Sequence, residues 1–429
     1  MKNTSVYIVD GSRTPFLKAR GKPGPFQASD LAVQAATPLL MRQSFDAEEI
    51  DEVIVGCVGP SADEVNIARV ISLRAGCGDK TPAWTVQRNC ASGMQAIDSA
   101  FSNILLGKSD LVLAGGTEAM SHSPVLYNHH MVNWLANMSR AKTTLQKIKT
   151  ITQLRPKFFA PVIGLLKGLT DPVVGLSMGQ TAEILAEKFN IGREDMDQYA
   201  VDSHLRLVHA QENNYFDGEI ETLYDNDGHA YKTDDGVRPD SSMQKLAKLK
   251  PVFDKQHGNV TAGNSAQITD GAAWLLLASE QAVKKYKLNV MGRLLASNWA
   301  ALDPSVMGLG PVHATVPMLQ AQHLKVDDID YWELNEAFAA QVLACVAAWK
   351  NVQYCQEHFG LDQAFGEVAH EKLNVDGGAV SLGHPVGASG ARIVHHLLKV
   401  LQRNQAKRGV ATICIGGGQG GAMLIENLQ

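Results

Sequence analysis

A cysteine set at the start of a small-residue helix is the most chemically pointed feature of this 429-residue sequence. In Asn89-Cys90-Ala91-Ser92-Gly93, a strand-like run, Trp84 to Gln87, gives way to a helix, which places Cys90 at or beside a helix N-terminus. The positive end of the helix dipole favours a thiolate there. By residue type alone a buried cysteine is equally an inert small hydrophobe, and the motif leaves both readings open. A second cysteine opens the run Cys414-Ile415-Gly416-Gly417-Gly418 at a strand end. Its glycines let the backbone come close to a ligand and present free N–H groups, with an ordinary turn as the alternative. Gly383-His384-Pro385 precedes another Ala-Ser-Gly helix start, in the loop corresponding to the one that carries Cys90. Asn335-Glu336-Ala337-Phe338 ends a strand and begins a helix, where Asn335 serves either chemistry or the capping of backbone N–H groups.

These residues need elements to hold them, and the sequence supplies an α/β alternation. Strands are expected at Val6 to Val9 and Glu52 to Val55, and helices near Leu31 to Arg42 and Glu64 to Ala75. A weak internal repeat follows. DAEEIDEVIVG (46 to 56) matches VDDIDYWELNEAF (326 to 338), both placing acids before a strand. Ala91-Ser92-Gly93 opens a helix leading to LVLAGG (111 to 116), as Ala388-Ser389-Gly390 opens one leading to ATICIGGG (411 to 418). Two matches in the same order predict a duplicated βα unit, with Cys90 opposite Gly387 and the two helix N-termini facing one another. Between about Thr117 and Asn259 the alternation fails, leaving loops with helical pieces at Thr181 to Phe189 and Met196 to Gln211. That stretch reads as an insertion carried by the first half.

Composition limits the function classes. A chain of this length exceeds what one core usually serves, so two halves are expected. A hydrophobic share of 45%, a charged share of 19% and 38 glycines suit an α/β enzyme. A net charge of −5 argues against a general nucleic-acid binder. The six cysteines show neither metal-ligand nor disulfide-framework spacing, which favours a reduced compartment and predicts no metal. The start of the chain carries no apolar signal core and no run long enough to span a bilayer occurs, so a cytoplasmic protein is expected.

Taken together and in this order, the four chemical segments strongly resemble the thiolase family over nearly the whole chain. VDGSRTPF near the start, GGTEAMS (115 to 121), MGQTAE (178 to 183), RPDSS with KLAKLKPVF (238 to 253), VTAGNSAQITDGAA (260 to 273) and MGLGP (307 to 311) extend the resemblance. It implies an α/β fold, a thiolase-like five-layered αβαβα sandwich of two duplicated halves with an inserted loop domain. The halves would be 1–116 with 260–279, and 280–429, and the loop domain 117–259 would cover the coenzyme A site. It implies a cysteine-dependent acyltransferase that cleaves 3-ketoacyl-CoA with CoA as co-substrate and holds no permanent cofactor. Cys90 would be the nucleophile, His384 its base and Cys414 the acid/base partner. Asn335 would fix a water, and the N–H groups of Cys90 and Gly416 would face the oxyanion. Arg238 matches a family position near the CoA adenine and phosphates, Phe253 and Phe338 match positions that line the pantetheine tunnel, and Met178 belongs to the loop-domain motif. The family's CoA-contacting serine is displaced by one residue here, Asn264-Ser265-Ala266, so Ser265 is its candidate. Homodimers or homotetramers are the family's usual assemblies.

The branch of the family is read from two features. Short-chain biosynthetic relatives often carry a histidine before the Met-Gly of the loop domain, where this chain has Ser177, which points to degradative β-oxidation of fatty acids. Residues 131 to 170 hold seven Lys/Arg and no Asp or Glu, interleaved with Trp134, Leu145, Ile148, Phe158, Phe159 and Leu166. That pattern suits peripheral docking on a membrane, or on an α-subunit with hydratase and dehydrogenase activities such as fatty-acid oxidation complexes contain; a solvated hairpin is the bland alternative. A biosynthetic acetoacetyl-CoA thiolase shares every catalytic residue. A ketosynthase would lack the acid/base cysteine, and a non-catalytic lipid-binding relative would have lost one of Cys90, His384 or Cys414.

Overall fold

Strand Thr269–Ser279 shows how the layers arise. All of its residues are buried, with Ala272, Trp274, Leu276 and Ala278 in one core and Ala273, Leu275 and Leu277 in another. Side chains alternate across a strand, so a strand apolar on both faces must be covered on both. The structure, a computed structural model, describes residues 5–429; residues 1–4 of the expected first half lie outside the described residues.

The first half arranges its strands in the order Ala83–Val86, Glu52–Gly56, Leu111–Ala119, Thr269–Ser279, Val6–Arg13. The second repeats it as Tyr331–Leu334, Arg408–Ile415, Gln419–Asn427, Gly292–Ala301, and the halves join where Val6 pairs with Leu294. In both, the equivalent neighbours are first parallel and then antiparallel. The second half lacks a full counterpart of Ala83–Val86. A single parallel bridge, Trp332 to Leu373, remains in its place.

Helices Ser92–Leu105 and Ser389–Arg403 form the middle layer, in one core with strands of both halves of the continuous sheet. Helices Ala28–Met41 and Ile67–Arg74 cover the outer face of the first half's strands. Gly310–Ala321 and Ala339–Lys350 cover that of the second half's, which completes αβαβα. The two middle helices cross at their N-terminal turns, where a Cβ on Gly390 would lie 2.6 Å from the Met94 nitrogen and one on Gly93 2.7 Å from the Gly387 carbonyl oxygen. The expected meeting of the helix N-termini is what the fold contains.

The helix expected from Glu64 begins at Ile67, because the Asn66 amide is committed to the neighbouring strand, donating to Ala83 O at 3.2 Å and accepting from the Thr85 hydroxyl at 2.9 Å. Strand Leu111–Ala119 runs three residues past the expected start of the insertion. The 117–259 stretch is tied down by buried charge. Arg13 pairs with Glu219 and with Asp234 at 2.7 Å, and His396 of the middle layer sits between Glu219 at 2.7 Å and Asp376 at 3.2 Å. All five side chains are at most 3% exposed.

Candidate active site

The edge strand Ala83–Val86 delivers the chain to Asn89, whose φ of 42° is left-handed. Asparagine tolerates that conformation better than most residues, and the turn lets a helix start at once at Ser92. The Asn89 amide donates to the Gly416 carbonyl at 2.7 Å, tying this turn to the glycine run of the other half. The Ser92 hydroxyl accepts from the Arg88 N–H at 2.9 Å and donates to the Asn89 carbonyl at 2.7 Å. Cys90 is thereby fixed with its own N–H and that of Gly416 directed at its sulfur. Burial nevertheless pushes the thiol up, more than those two N–H groups pull it down, and Glu118 adds to the rise. The helix end therefore does not by itself make a thiolate. Cys90 rests as a thiol and needs a base.

His384 supplies a suitable ring. Gly383 precedes it with φ +104°, a conformation that suits glycine, and a Cβ there would strike Thr269 at 2.2 Å. The ring Nδ1 lies 2.6 Å from the Ser389 hydroxyl, which itself donates to the Pro385 carbonyl. The serine oxygen is left as acceptor, so Nδ1 carries the proton and Nε2 presents its lone pair. Nε2 is buried without a protein partner. Burial first, and Arg392 second, hold this imidazole down at about 4, neutral near pH 7.

Cys414 is the next-to-last residue of strand Arg408–Ile415 and is 1% exposed. Its thiol is pushed well above the ordinary cysteine range, by burial first. Gly417 and Gly418, at φ +92° and +75°, turn the chain back into Gln419–Asn427, and a Cβ on Gly418 would meet the Leu302 carbonyl at 2.1 Å. Asn335 is wholly buried, and neither Oδ1 nor Nδ2 has a protein hydrogen-bond partner. The capping alternative fails, since helix Ala339–Lys350 has Phe338 as its N-cap and no side-chain cap. The next residue behaves oppositely: Glu336 accepts from Tyr199, Asn374, Ser203 and the Val380 N–H at 2.8 to 3.1 Å. It clamps the segment leading to His384.

Cys90, Asn89, Gly416, Gly417 and Met178 line one cavity of about 440 Å³, within the size range of ligand pockets. Met120, Pro124, Leu165, Leu169 and Val173 give it apolar walls. Next to Met178, Phe253 packs where a side chain on Gly179 would be, meets Phe338 edge-to-face at 5.9 Å, and Phe338 bridges to Ser265. These four candidates form one group. The Ser265 hydroxyl already donates to the Thr261 carbonyl at 2.7 Å, so only its lone pairs remain for a ligand. Arg238 stands apart from that group, in a cationic patch with Lys18 near His204. The grouping with metal-ligand geometry among the described residues, Asp225, Asp227 and His229, is a partly exposed hairpin tip whose Asp225 accepts the hairpin's own N–H groups.

Sequence reasoning missed two residues. Ser389 was legible only as part of the repeated Ala-Ser-Gly, with nothing to say that it orients His384. Glu118, within the GGTEAMS run, lines the same cavity, accepts from the Val58 and Gly59 N–H groups at 2.8 and 2.9 Å, and is raised by burial to about 7. Ser177 has a local task of its own, accepting from the Gln180 N–H as N-cap of Met178–Lys188. All six cysteines are free. A neutral imidazole with a free lone pair, two thiols and a pair of aimed N–H groups can perform nucleophilic acyl transfer.

Comparison with known proteins agrees with that chemistry. The family model for the thiolase N-terminal domain matches residues 6–281 and that for the C-terminal domain residues 288–427. The 3-ketoacyl-CoA thiolases of Yersinia pestis (strain Pestoides F) and Yersinia pseudotuberculosis (serotype O:3, strain YPIII) are 36% identical over 423 residues, 98% of this chain and 96% of theirs. Among solved structures, Bacillus anthracis acetyl-CoA acetyltransferase matches with a TM-score of 0.84 and 36% identity over 99% of both chains. Human mitochondrial 3-ketoacyl-CoA thiolase in complex with CoA matches equally, over 99% of this chain and 98% of its own.

Proposed function

The chain belongs to the thiolase family of acyltransferases, and on that premise we propose that it is a 3-ketoacyl-CoA thiolase of the degradative, broader-chain kind. The observation that carries the choice is the cavity in front of Cys90. Its apolar walls, Met120, Pro124, Leu165, Leu169 and Val173, suit an alkyl chain longer than that of acetoacetyl-CoA. Ser177 is weaker support, because its capping bond explains its presence without reference to substrate.

In this reading His384 Nε2 takes the proton of Cys90, whose thiolate attacks the 3-keto carbon. The oxyanion meets the N–H groups of Cys90 and Gly416. The bond between the second and third carbons breaks, leaving an acyl group on Cys90 and the enolate of acetyl-CoA. The imidazolium and a water on Asn335 hold the enolate oxygen while Cys414 gives the carbon its proton. Cys414, now a thiolate, deprotonates incoming CoA. The CoA sulfur attacks the acyl-cysteine, and Cys90 departs and regains its proton from His384. A shortened acyl-CoA leaves, with ping-pong kinetics. Arg238, Phe253, Phe338, Met178 and Ser265 contact CoA, and 117–259 forms the domain over it.

The alternative, a biosynthetic acetoacetyl-CoA thiolase, differs only in chain-length kinetics. Comparing kcat/KM for acetoacetyl-CoA with that for 3-ketoacyl-CoAs of about eight to sixteen carbons decides it. A ratio favouring the longer substrates is expected; a preference for acetoacetyl-CoA overturns the degradative reading.

A second reading concerns partners. Of residues 131–170 only Met131 and Thr150 are buried, while Leu145, Leu166 and Phe159 are 78%, 63% and 59% exposed beside unopposed cations. Among the described residues no helix is long and apolar enough to cross a membrane. This lobe docks on an anionic membrane surface or an α-subunit, and the protein works as a homo-oligomer in the cytoplasm. Replacing Lys142, Lys147 and Lys149 with glutamate should abolish low-salt binding to anionic vesicles with thiolysis of short substrates intact. Unchanged binding to vesicles and to partner across a salt titration makes the lobe a solvated lid.

A further inference from the structure

Behind the site lies an ion pair that the mechanism does not use. Arg392 donates through Nη1 to Glu333 Oε2 at 2.8 Å, with the two side chains 2% and 1% exposed. Arg392 Nε and Glu333 Oε1 have no further protein partner. Taking both charges out of water is costly, and apolar residues of similar volume usually serve stability as well or better. Stability alone is therefore a poor reason for the pair.

Its place in the fold gives another. Arg392 follows Ser389 by three residues in the helix Ser389–Arg403, so the two share a face, and Ser389 holds His384 Nδ1 at 2.6 Å. Glu333 precedes Asn335 by two residues at the end of Tyr331–Leu334, so these also share a face, and Asn335 stays on the ladder by donating its N–H to Thr412 O at 3.0 Å. One salt bridge thus links the element that orients the imidazole to the element that carries the buried amide. Glu333 also faces His396, Glu336 and Asp376, and Arg392 is the charged group facing His384. Burial holds the imidazole in its base form, and a cation there adds to this by opposing a second positive charge.

We propose that Arg392 and Glu333 are positioning residues for the acyl-transfer chemistry, setting the distance between His384 and Asn335. The proposal rests on the thiolase reading of the site.

The test is the double variant Arg392→Met with Glu333→Leu, alongside Arg392→Lys, assayed for thiolysis of acetoacetyl-CoA and for melting temperature. The expected result for the double variant is a melting temperature at or above wild type, a kcat lower on the order of 10²-fold through misplacement of the reacting groups, and an unchanged KM for CoA. Arg392→Lys, which keeps the charge, should recover part of kcat. A double variant as active as wild type overturns the proposal, as does a loss matched by a fall in melting temperature that Arg392→Lys shares in full. Absence of thiolysis in the wild type would instead overturn the function from which the proposal starts.

Discussion

The two halves have the same strand order, yet of the four groups proposed for the reaction only Cys90 lies in the first, while Asn335, His384 and Cys414 lie in the second. By strand register Asn335 corresponds to Gly56 and Cys414 to Thr117, while Cys90 corresponds to Gly387 in the sequence repeat. The counterparts are packing positions. A Cβ on Gly56 would lie 2.2 Å from the Ser92 carbonyl carbon, one on Gly387 2.3 Å from the Thr117 carbonyl oxygen, and the Thr117 hydroxyl is bonded to Ala28 O at 2.7 Å. Where the second half places the groups proposed for the reaction, the first uses the matching positions for close packing. A two-fold scaffold therefore carries an asymmetric set of candidate groups.

The approaches to the two middle helices differ for a related reason. In the first half a paired strand and a left-handed Asn89 set Cys90 immediately before its helix. In the second that strand is reduced to the Trp332–Leu373 bridge, and Gly383 at φ +104° swings His384 out five residues before Ser389. Each approach is nevertheless secured by the first helical serine, Ser92 or Ser389.

Asn335 should give the largest effect if that asymmetry is right. Asn335→Ala removes no protein hydrogen bond, so kcat should fall by a factor on the order of 10² to 10³ with little change in melting temperature. A large stability loss with unchanged kcat would return Asn335 to a structural task. Next in size is Gly387→Ala, whose Cβ meets fixed backbone at Thr117 and Gly56. Denaturant unfolding should show a loss of about 1 to 3 kcal/mol, and a neutral result would break the claim that this position exists for packing.

The serines sharpen the comparison further. Ser389→Ala should lower kcat roughly 10-fold or more by freeing the imidazole, with a steeper loss than in stability. Ser92→Ala should act mainly on stability, by about 1 kcal/mol, because it leaves the Arg88 N–H without its partner. Reversal of that order would mean that the two serines do not divide as described.

The smallest effect concerns pH. His396, buried between Glu219 and Asp376, is raised from 6.5 to about 10: burial opposes the rise, and the two carboxylates outweigh it. A folded-state value above the unfolded one means that its contribution is full below about pH 6.5 and fades as pH rises through 10. The stability gap between wild type and His396→Gln, measured by urea unfolding, should therefore narrow between pH 6.5 and 10. A constant gap would mean that the imidazolium is not what stabilises the site.

Much of this was legible in the sequence because the relevant signals are local. Small-residue helices, glycine turns and strands alternating between two cores reveal themselves over a few residues, and the repeat of Ala-Ser-Gly gave the duplication. What was not legible depends on long-range partners. The pairing of Arg392 with Glu333 links segments whose meeting no periodicity records, and the 2.6 Å contact that fixes the His384 tautomer, though local, depends on side-chain geometry that residue types do not specify. Burial was the other hidden variable. From sequence Cys90 at a helix start favours a thiolate, whereas in the fold burial outweighs the N–H groups directed at its sulfur and holds the thiol up.

The central claim is the division of labour between Cys90 and Cys414, and mass spectrometric mapping of the acyl group after incubation with acetyl-CoA tests it most directly. The account predicts one acetyl group per chain on Cys90, in wild type and in Cys414→Ala, with turnover lost in the variant because the enolate has no acid. Acetyl found on Cys414, or a Cys90→Ala variant that still turns over, would contradict it.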